Sequence, residues 1–348
     1  MIRYELASPA DDAALRALLR ANQLPSWAVM TMEREPSYFA GMDHYGHDWA
    51  VIARDAGDEV VGMYAAAIHA VHCNGAAADL GYLGALRVNL AYRNRIRILK
   101  QGYASIPRLS PAAVPFWYSV IASGNAPSQR ILAANLPGMP RYRKLNELVT
   151  LTLPTSRGRR LGLWRAMRPD EADAVCELYN REASRYHFTP ALTPERLAKT
   201  GAPFYVAERD GVLLATMALW NQQPWKQVVS RGYMQPLAAV RPLWNLFARL
   251  SRRVCLPRTG SALDQTFLAF LAVSVAMQDE IHSLLLDALA LCPTRVLLLG
   301  LHDAHPVLDQ RLTRRFRPLC YRGSVYTVSF GANPSVDARP AQPEIALL

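Results

Sequence analysis

The chain has 348 residues, of which 51 % are hydrophobic and 19 % are charged, and its formal net charge is +11. This length provides for roughly two domains, and the composition excludes a disordered or fibrous protein. The excess of basic residues favours a polyanionic partner, which could be a nucleic acid, an acidic lipid or a phosphorylated cofactor.

Targeting and redox features indicate a cytoplasmic protein. No apolar run approaches the ~18 residues that a membrane-spanning helix needs, and residues 1–12 lack the apolar region of a signal peptide. The five cysteines are scattered and include no Cys-x-x-Cys pair. We therefore expect free thiols in a reducing cytoplasm, with neither a disulfide framework nor a zinc site.

The first part of the chain predicts an α/β unit. A short strand leads into a helix with Leu15, Leu18 and Leu19 on one face, and two apolar strands follow around a turn at residues 56–58. A strand over residues 83–88 then ends at Val88 and leads through an arginine-rich turn to a helix. That helix begins near Ile96, and residues 116–123 form the next strand.

The same order of elements recurs in the second part of the chain. A helical face formed by Val175, Leu178 and Tyr179 repeats the first one, because Val175 and Leu178 follow Leu15 and Leu18 by 160 residues. Two strands around a turn at 210–211, a strand over 267–273 and a strand over 295–301 come after it. The repeat predicts two α/β domains in tandem; the alternative is two unrelated α/β segments.

Domain boundaries follow from this repeat and from composition. The first domain spans residues 1–153, a linker rich in Pro, Gly, Ser and Arg spans 154–162, and the second domain spans 163–331. Residues 332–348 form a tail.

The second domain contains an additional helical segment at about residues 235–260. Four apolar residues of this segment share one helical face: Trp244, Phe247, Leu250 and Val254. Three arginines lie beside them: Arg249, Arg252 and Arg253. Such a basic amphipathic helix is typical of a lid, a membrane surface or an RNA-backbone contact. The alternative is a helix that packs on its own domain with solvated arginines.

The element order resembles the GNAT superfamily of acyl-CoA-dependent N-acyltransferases. In that family the fourth strand ends in valine, and a turn of the form Gln/Arg-x-x-Gly-x-Gly/Ala opens a helix whose N-terminal amides hold the pyrophosphate of coenzyme A. Val88 matches the valine, and Tyr92 and Arg93 match the aromatic–arginine start of the turn. Ile96 and Ile98 stand where glycine and a small residue are expected.

The resemblance implies a cofactor site for acetyl-CoA or another acyl-CoA on the first domain. Its residues are Leu86, Arg87, Val88, Arg93, Asn94, Arg95, Ile96, Arg97 and Ile98. The gap that receives the acyl arm would lie between the strands at 84–88 and 116–123. Arginines at the turn could compensate for the missing glycines through charge-assisted bonds to phosphate. In the corresponding second turn, Asp279 and Glu280 would repel phosphate, so we expect that turn to be degenerate.

The catalytic tyrosine of the family has no match here. The segment after residue 123 resembles the family's Asn-x-x-Ala-x-x-x-Tyr helix with Asn125 as its asparagine, but Leu132 stands in place of the tyrosine. Tyr118 and Tyr142 are replacement acids close by in sequence, and Glu147 is a candidate base.

The histidines give no clear metal site. His69 and Cys73 would share one face of a strand while His72 would point to the other, which divides the ligand set. His302 and His305, with Asp303 between them, could form a base relay; the alternative is a helix-capping Asp303 beside an exposed histidine.

These features predict an N-acyltransferase that moves an acyl group, with acetyl as the first candidate, from acyl-CoA to an amine of a small molecule or peptide. Two alternatives remain open. One is an aminoacyl-tRNA-dependent transferase of the Fem type, whose partner would be tRNA. The other is a binding protein that kept the fold and lost the catalytic site.

Overall fold

Two strand–helix units follow one another along the chain, and a computed structural model describes residues 2–23, 27–92 and 95–348. The strands of the first unit are β1 (Arg3–Leu6), β2 (Ala28–Glu33), β3 (His47–Arg54), β4 (Val60–Cys73), β5 (Ala76–Val88), β6 (Trp117–Ala122) and β7 (Arg141–Pro154). Its helices are α1 (Asp12–Ala21), α2 (Ile96–Leu109) and α3 (Ala126–Ala133).

The second unit follows a similar order and, among the described residues, has five α-helices where the first unit has three. Its strands are β8 (Arg165–Ala166), β9 (Phe204–Arg209), β10 (Val212–Trp220), β11 (Gln227–Tyr233), β12 (Gln265–Val273), β13 (Val296–His302) and β14 (Leu319–Ser329). Its helices are α4 (Ala172–Ala183), α5 (Pro194–Lys199), α6 (Leu237–Leu250), α7 (Ile281–Leu291) and α8 (Gln310–Phe316).

The two units share one mixed sheet. Twelve strands lie in the order β1-β3-β4-β5-β6-β14-β7-β13-β12-β10-β9-β8, and β11 pairs separately with β2. Each unit contributes its last strand to the other, because β14 pairs with β6 of the first unit and β7 pairs with β13 of the second. The predicted α/β fold with mixed sheets is confirmed, and the exchange joins the two sheets edge to edge.

Equivalent helices of the two units bury the faces that the sequence predicts. Leu15, Leu18 and Leu19 are buried on α1, and Val175 and Leu178 are buried on α4. Burial of each leucine or valine side chain contributes about 1.5–3 kcal/mol, so the shared apolar pattern accounts for the repeated helix position.

The same kind of cap precedes both helices. The Asp11 carboxylate accepts from the Ser8 amide at 2.8 Å, and the Glu171 carboxylate accepts from the Arg168 amide at 2.7 Å. Each bond satisfies a main-chain donor that a helix start leaves without an intrahelical partner.

The tail (residues 332–348) returns to the interior. Ala341, Ile345 and Ala346 are buried, and Asn146 on β7 holds Ala341 through both its amide oxygen (2.8 Å) and its amide nitrogen (3.0 Å). This position brings the tail alongside the sheet of the second unit.

The sequence predicts no membrane-spanning helix and predicts free cysteine thiols. Among the described residues, every helix is too short or too polar to cross a lipid bilayer. All five cysteines are unpaired, as predicted.

Candidate active site

Both units carry a bulge in the corresponding strand. In β5 two residues, Ala85 and Leu86, lie opposite one residue of β4, and in β12 two residues, Phe270 and Leu271, lie opposite one residue of β10. Ala85 has φ of 47° and Phe270 has φ of 52°. Non-glycine residues rarely adopt this left-handed conformation, and such bulges leave one residue outside the regular hydrogen-bond ladder.

Each bulged strand also parts from its parallel neighbour. β5 pairs with β6 only at Gly81 and Tyr82, and β12 pairs with β13 only over residues 265–267. Beyond these pairs the strands diverge, which opens a first gap between β5 and β6 and a second gap between β12 and β13. The bulge lies beside the gap in both units, because Ala85 and Phe270 each follow the last paired residue by three positions.

The mouth of the first gap is the predicted arginine-rich turn. β5 ends at Val88 and α2 begins at Ile96, as the sequence predicts. Arg93 and Asn94 lie outside the described residues. Arg95 and Arg97 are exposed, and the Arg95 guanidinium lies 4.7 Å from the centre of the Tyr92 ring. A cationic surface therefore surrounds the start of α2.

The two isoleucines at glycine positions differ in burial. Ile98 is buried against the core of the first unit, and its carbonyl oxygen accepts from the Tyr4 hydroxyl at 2.6 Å. Ile96 is exposed. The Ile98 amide bonds to the Arg95 oxygen at 2.9 Å, so one of the first amides of the helix is used within the turn.

The walls of the first gap include the remaining predicted cofactor residues. Leu86 is 39 % exposed, and Arg87 and Val88 are half-buried. The strand end predicted to carry an acyl arm is thus accessible from outside.

The second gap is lined by the chain's own tail. The Glu344 carboxylate accepts from the amide of the bulge residue Phe270 at 2.9 Å, and the Gln342 side chain accepts from the His302 amide at 3.1 Å. Ile345 packs on Gly300 so closely that a Cβ at that glycine would lie 2.3 Å from the Ile345 Cγ2. In this unit the bulge amide stays outside the strand ladder, and the tail accepts its hydrogen bond.

A cavity of about 330 Å³ remains between the tail and the second turn. Its lining includes Asp279 from the turn and His282 from the start of α7, together with Tyr186 and His305. Burial lowers the pKa of His305 to about 4 and also lowers the pKa of His302. His302 is buried and Asp303 is exposed, so the expectation of a capping Asp303 beside an exposed histidine is wrong: residues 296–302 form a strand, and Asp309 caps α8.

A polar relay lies at the closed end of the first gap. The His69 Nδ1 is 3.0 Å from the Tyr118 hydroxyl, and its Nε2 is 3.5 Å from an Asp48 oxygen. Tyr118 is the residue that pairs with Tyr82 where β5 and β6 part. His69 and Tyr118 are buried, whereas the Asp48 side chain is 30 % exposed. The relay therefore connects the end of the gap with the surface.

The pKa values at the two ends of this relay are shifted in opposite directions. Burial raises the pKa of Tyr118 well above its usual value, so the hydroxyl is protonated at neutral pH. Burial alone would also raise the pKa of Asp48, but its bond to His69, the Asp43 amide and the charge of Arg34 outweigh that effect and lower the pKa. Asp48 is accordingly a carboxylate at neutral pH.

Lys226, in the loop before β11, interacts electrostatically with Asp48 of this relay and with Glu344 of the tail. Burial lowers the pKa of Lys226 to about 7, an effect strengthened by Arg34 and opposed by the charges of Asp48 and Glu344. Burial also raises the pKa of Glu344. Lys226 donates to the Leu348 main-chain oxygen and lies 5.7 Å from the Phe267 ring. We call Asp48, His69, Tyr118, Lys226 and Glu344 the central cluster.

The Tyr45 ring lies between the closed end of the first gap and the bulge of the second unit. Its ring centre is 5.7 Å from that of His69 and 6.3 Å from that of the bulge residue Phe270. The two gaps therefore converge on one centre, where pKa values are shifted as they often are in catalytic sites.

The other predicted catalytic residues lie elsewhere. Tyr142 is buried in a separate apolar cluster, 2.8 Å from the Tyr103 hydroxyl, and burial raises its pKa far above the usual value. Asn125 caps α3 by accepting from the Ser128 amide at 3.3 Å. Glu147 binds Lys144 and Arg322, each at 3.2 Å, and these contacts lower its pKa. Of the four predicted catalytic residues, only Tyr118 belongs to the central cluster.

Asp48, Lys226 and Glu344 were not predicted from the sequence. One signal for Asp48 was present in the loop just before β3: Gly46 lies against His69, where a Cβ would be 2.5 Å from the His69 Cδ2. A glycine that allows so close an approach indicates that this loop and that histidine belong together.

The two units each part and bulge the same strand and lie in one large mixed sheet. This arrangement is similar to the tandem GNAT-like fold that the sequence predicts. No protein-family model and no curated protein sequence matches the chain.

Solved structures match it over nearly its whole length. Saccharomyces cerevisiae N-myristoyltransferase with bound myristoyl-CoA has a TM-score of 0.61 at 13 % identity, covering 97 % of this chain and 88 % of that one. A GCN5-related N-acetyltransferase from Sphaerobacter thermophilus has a TM-score of 0.56 at 12 % identity, with 98 % of both chains covered. A probable N-acyltransferase from Enterococcus faecalis has a TM-score of 0.51 at 10 % identity, covering 94 % and 72 %. These likenesses are likenesses of fold.

Proposed function

We propose that the protein is an acyl-CoA-dependent N-acyltransferase whose first unit binds the cofactor. The observation that carries this proposal is the contrast between the two bulges. The bulge at Ala85 adjoins an accessible strand end, whereas the amide of Phe270 is held by Glu344. A donor outside the strand ladder is what a thioester carbonyl requires when it becomes an oxyanion.

Charge favours the same gap. Arg95 and Arg97 stand at the mouth of the first gap, where the start of α2 adds the positive end of a helix dipole. Asp279 and Glu280 occupy the corresponding turn of the second gap. A pyrophosphate would be attracted by the first mouth and repelled by the second.

The central cluster supplies proton transfer in this proposal. As the amine nitrogen forms its bond to the thioester carbon, Asp48 accepts a proton from the amine and Tyr118 gives one to the departing thiolate. His69, between them, moves one proton from Asp48 to Tyr118, so the cluster returns to its starting state. The order of contacts, Asp48 to His69 to Tyr118, supports this path.

The acceptor in this proposal is the amine of a small molecule or peptide, and it enters from the second unit. The 330 Å³ cavity is lined by Glu344, a member of the central cluster, so a ligand in the cavity can extend toward the end of the first gap. Acetyl is the first candidate for the acyl group, and the solved relative with myristoyl-CoA makes long chains the next to test.

Replacing both arginines of the first mouth tests the cofactor site. Charge-assisted hydrogen bonds contribute about 1.5–3 kcal/mol each, so we expect Arg95→Ala with Arg97→Ala to weaken coenzyme A binding by at least roughly tenfold. Isothermal titration calorimetry of the full chain with coenzyme A and with acyl-CoAs of increasing length measures this change.

The matched control is a double variant at the second gap, Arg185→Ala with Arg311→Ala, because both residues line the cavity there. We expect this control to bind coenzyme A within about twofold of the unchanged protein. A loss in the control alone would place the cofactor in the second gap. Failure of the unchanged protein to bind any acyl-CoA, or binding of tRNA instead, would refute the proposed function.

A further inference from the structure

The helix α6 has an inner face that fixes it to its own unit. Trp244 donates to the Val254 oxygen at 3.3 Å, and Asn245 bonds to both the amide (2.8 Å) and the oxygen (2.9 Å) of Leu256. Ala248 is fully buried on this face. Val254 lies outside the helix, so the predicted stripe of Trp244, Phe247, Leu250 and Val254 is wrong: Trp244 and Val254 belong to the packed side.

The outer face of α6 is apolar and exposed. Val240, Leu243, Phe247 and Leu250 follow the i, i+3, i+7, i+10 spacing of one helical face, and their exposed fractions are 44 %, 71 %, 50 % and 80 %. The apolar surface continues beyond the start of the helix to Met234 and Trp27, which are also exposed and are joined by a main-chain hydrogen bond of 3.0 Å. Because the inner face is fixed by hydrogen bonds, this apolar face stays directed outward.

The segment that carries this face has charges of one sign. Residues 211–263 contain seven Lys or Arg and no Asp or Glu. Arg249, Arg252 and Arg258 are exposed, and within the described part of the chain no carboxylate lies within 4.0 Å of them. The apolar face is therefore bordered by cations without acidic partners.

More arginines gather at the C-terminal end of α6. Arg157, from the linker, donates to the main-chain oxygens of Ser251 (2.7 Å) and Arg252 (2.8 Å), and Arg253 lies 5.6 Å from the Phe247 ring centre. Burial lowers the pKa of Arg157, and the nearby charges of Arg317, Arg253 and Arg252 lower it further. The cations here repel one another, so an anion beside them would relieve that repulsion.

We propose that this surface, the outer face of α6 with its bordering arginines, docks the protein on an anionic lipid bilayer. The helix lies parallel to the membrane plane, with Leu243, Phe247 and Leu250 in the acyl-chain boundary and the arginines at the phosphate level. Helix α6 has 14 residues and is too short to span a bilayer, which agrees with a position in the interface.

The lipid surface fits these observations better than the other partners of a basic helix. A twofold contact between two copies would bring the same unpaired arginines face to face. An RNA backbone would be met by phosphate-binding groups, whereas the centre of this surface consists of apolar side chains. The proposal does not depend on the proposed acyl transfer.

Vesicle flotation with the full chain tests the proposal. We expect binding to phosphatidylcholine vesicles that contain roughly 30 % phosphatidylglycerol, and loss of most of that binding at high salt, because screening weakens the attraction between arginines and lipid phosphate. Equal binding to pure phosphatidylcholine, or no binding to either vesicle, would overturn it.

Variants separate the apolar and the charged parts. Replacing Leu243, Phe247 and Leu250 by Gln is expected to reduce vesicle partitioning at least roughly tenfold, and replacing Arg249, Arg252 and Arg258 by Gln is expected to abolish the preference for anionic lipid. The control is Leu6→Gln, Val212→Gln and Val275→Gln, which changes three similarly exposed residues elsewhere.

Unaltered partitioning in the apolar variant, or an equal loss in the control, would overturn the assignment to α6. Light scattering tests whether a second copy of the chain covers this face instead. If the unchanged protein is a dimer that does not bind vesicles, and the apolar variant is a monomer, the proposal is also overturned. All replaced side chains are at the surface, so we expect every variant to keep its fold. The melting temperature of each variant checks this.

Discussion

Replacing His69 by Phe is expected to lower the rate of acyl transfer by a factor of roughly 100 to 1,000, because positioned acid–base groups contribute that much to proton-transfer steps. The ring of phenylalanine fills the space between Tyr45 and Tyr82 but lacks the nitrogens that contact Asp48 and Tyr118. The measurement is release of coenzyme A from acyl-CoA in the presence of an acceptor found in an amine screen.

Acyl-CoA affinity should be unchanged in this variant, since the arginines of the first mouth are untouched. His72→Gln is the matched control: His72 is also a buried histidine on β4, but its ring contacts Asn180 at 3.1 Å and lies outside the central cluster. A His69→Phe protein with full activity would exclude the relay, and an equal loss in His72→Gln would attribute the effect to packing.

The repeated fold could be predicted because its signals are local. Apolar periodicity marks α1 and α4, and β5 and β12 both end at the predicted valines, Val88 and Val273. The exchange of β7 and β14 between the units could not be predicted, because strand alternation gives the buried face of a strand and not its neighbour. Sequence order alone would have kept each last strand in its own unit.

The candidate site could be predicted only in part, and the reason is distance along the chain. The mouth of the first gap follows from one continuous segment around Arg95. The central cluster instead combines residues from β3, β4, β6, the loop before β11 and the tail. His69 and Tyr118 were both noticed in the sequence, but 49 positions separate them, and only strand order brings them together. Burial then raises the pKa of Tyr118, and burial is a property of the folded chain.

Asp287→Ala is expected to destabilise the protein by about 3 kcal/mol, because the loss leaves buried main-chain donors without an acceptor. This fully buried carboxylate on α7 accepts from the amides of Leu161 (2.9 Å), Leu163 (2.7 Å) and Trp164 (3.1 Å). Arg160 adds a contact of 2.8 Å. One side chain thus fixes the end of the linker to the second unit. The expected decrease in melting temperature is roughly 4 °C for a chain of this length.

The pH dependence of this contribution follows from the same contacts. Burial alone would raise the pKa of Asp287, but the three amides and Arg160 outweigh it and lower the pKa. A carboxyl with a lowered pKa in the folded state stabilises fully above its unfolded pKa of about 3.9, and the effect is lost as the pH falls through the folded value. The difference in stability between the unchanged protein and Asp287→Ala should therefore be constant near neutral pH and shrink only in acid.

Denaturant titrations at several pH values, with proteolysis of the linker at residues 154–162 as a second readout, measure both effects. Asp303→Ala is the control, since Asp303 is an exposed aspartate of the same unit; it should leave stability within about 0.5 kcal/mol. Asp287→Asn keeps one acceptor oxygen and should fall between the two. If Asp287→Ala is as stable as Asp303→Ala and its linker is cleaved no faster, the linker is held by its apolar contacts, chiefly Trp164, and the carboxylate is dispensable.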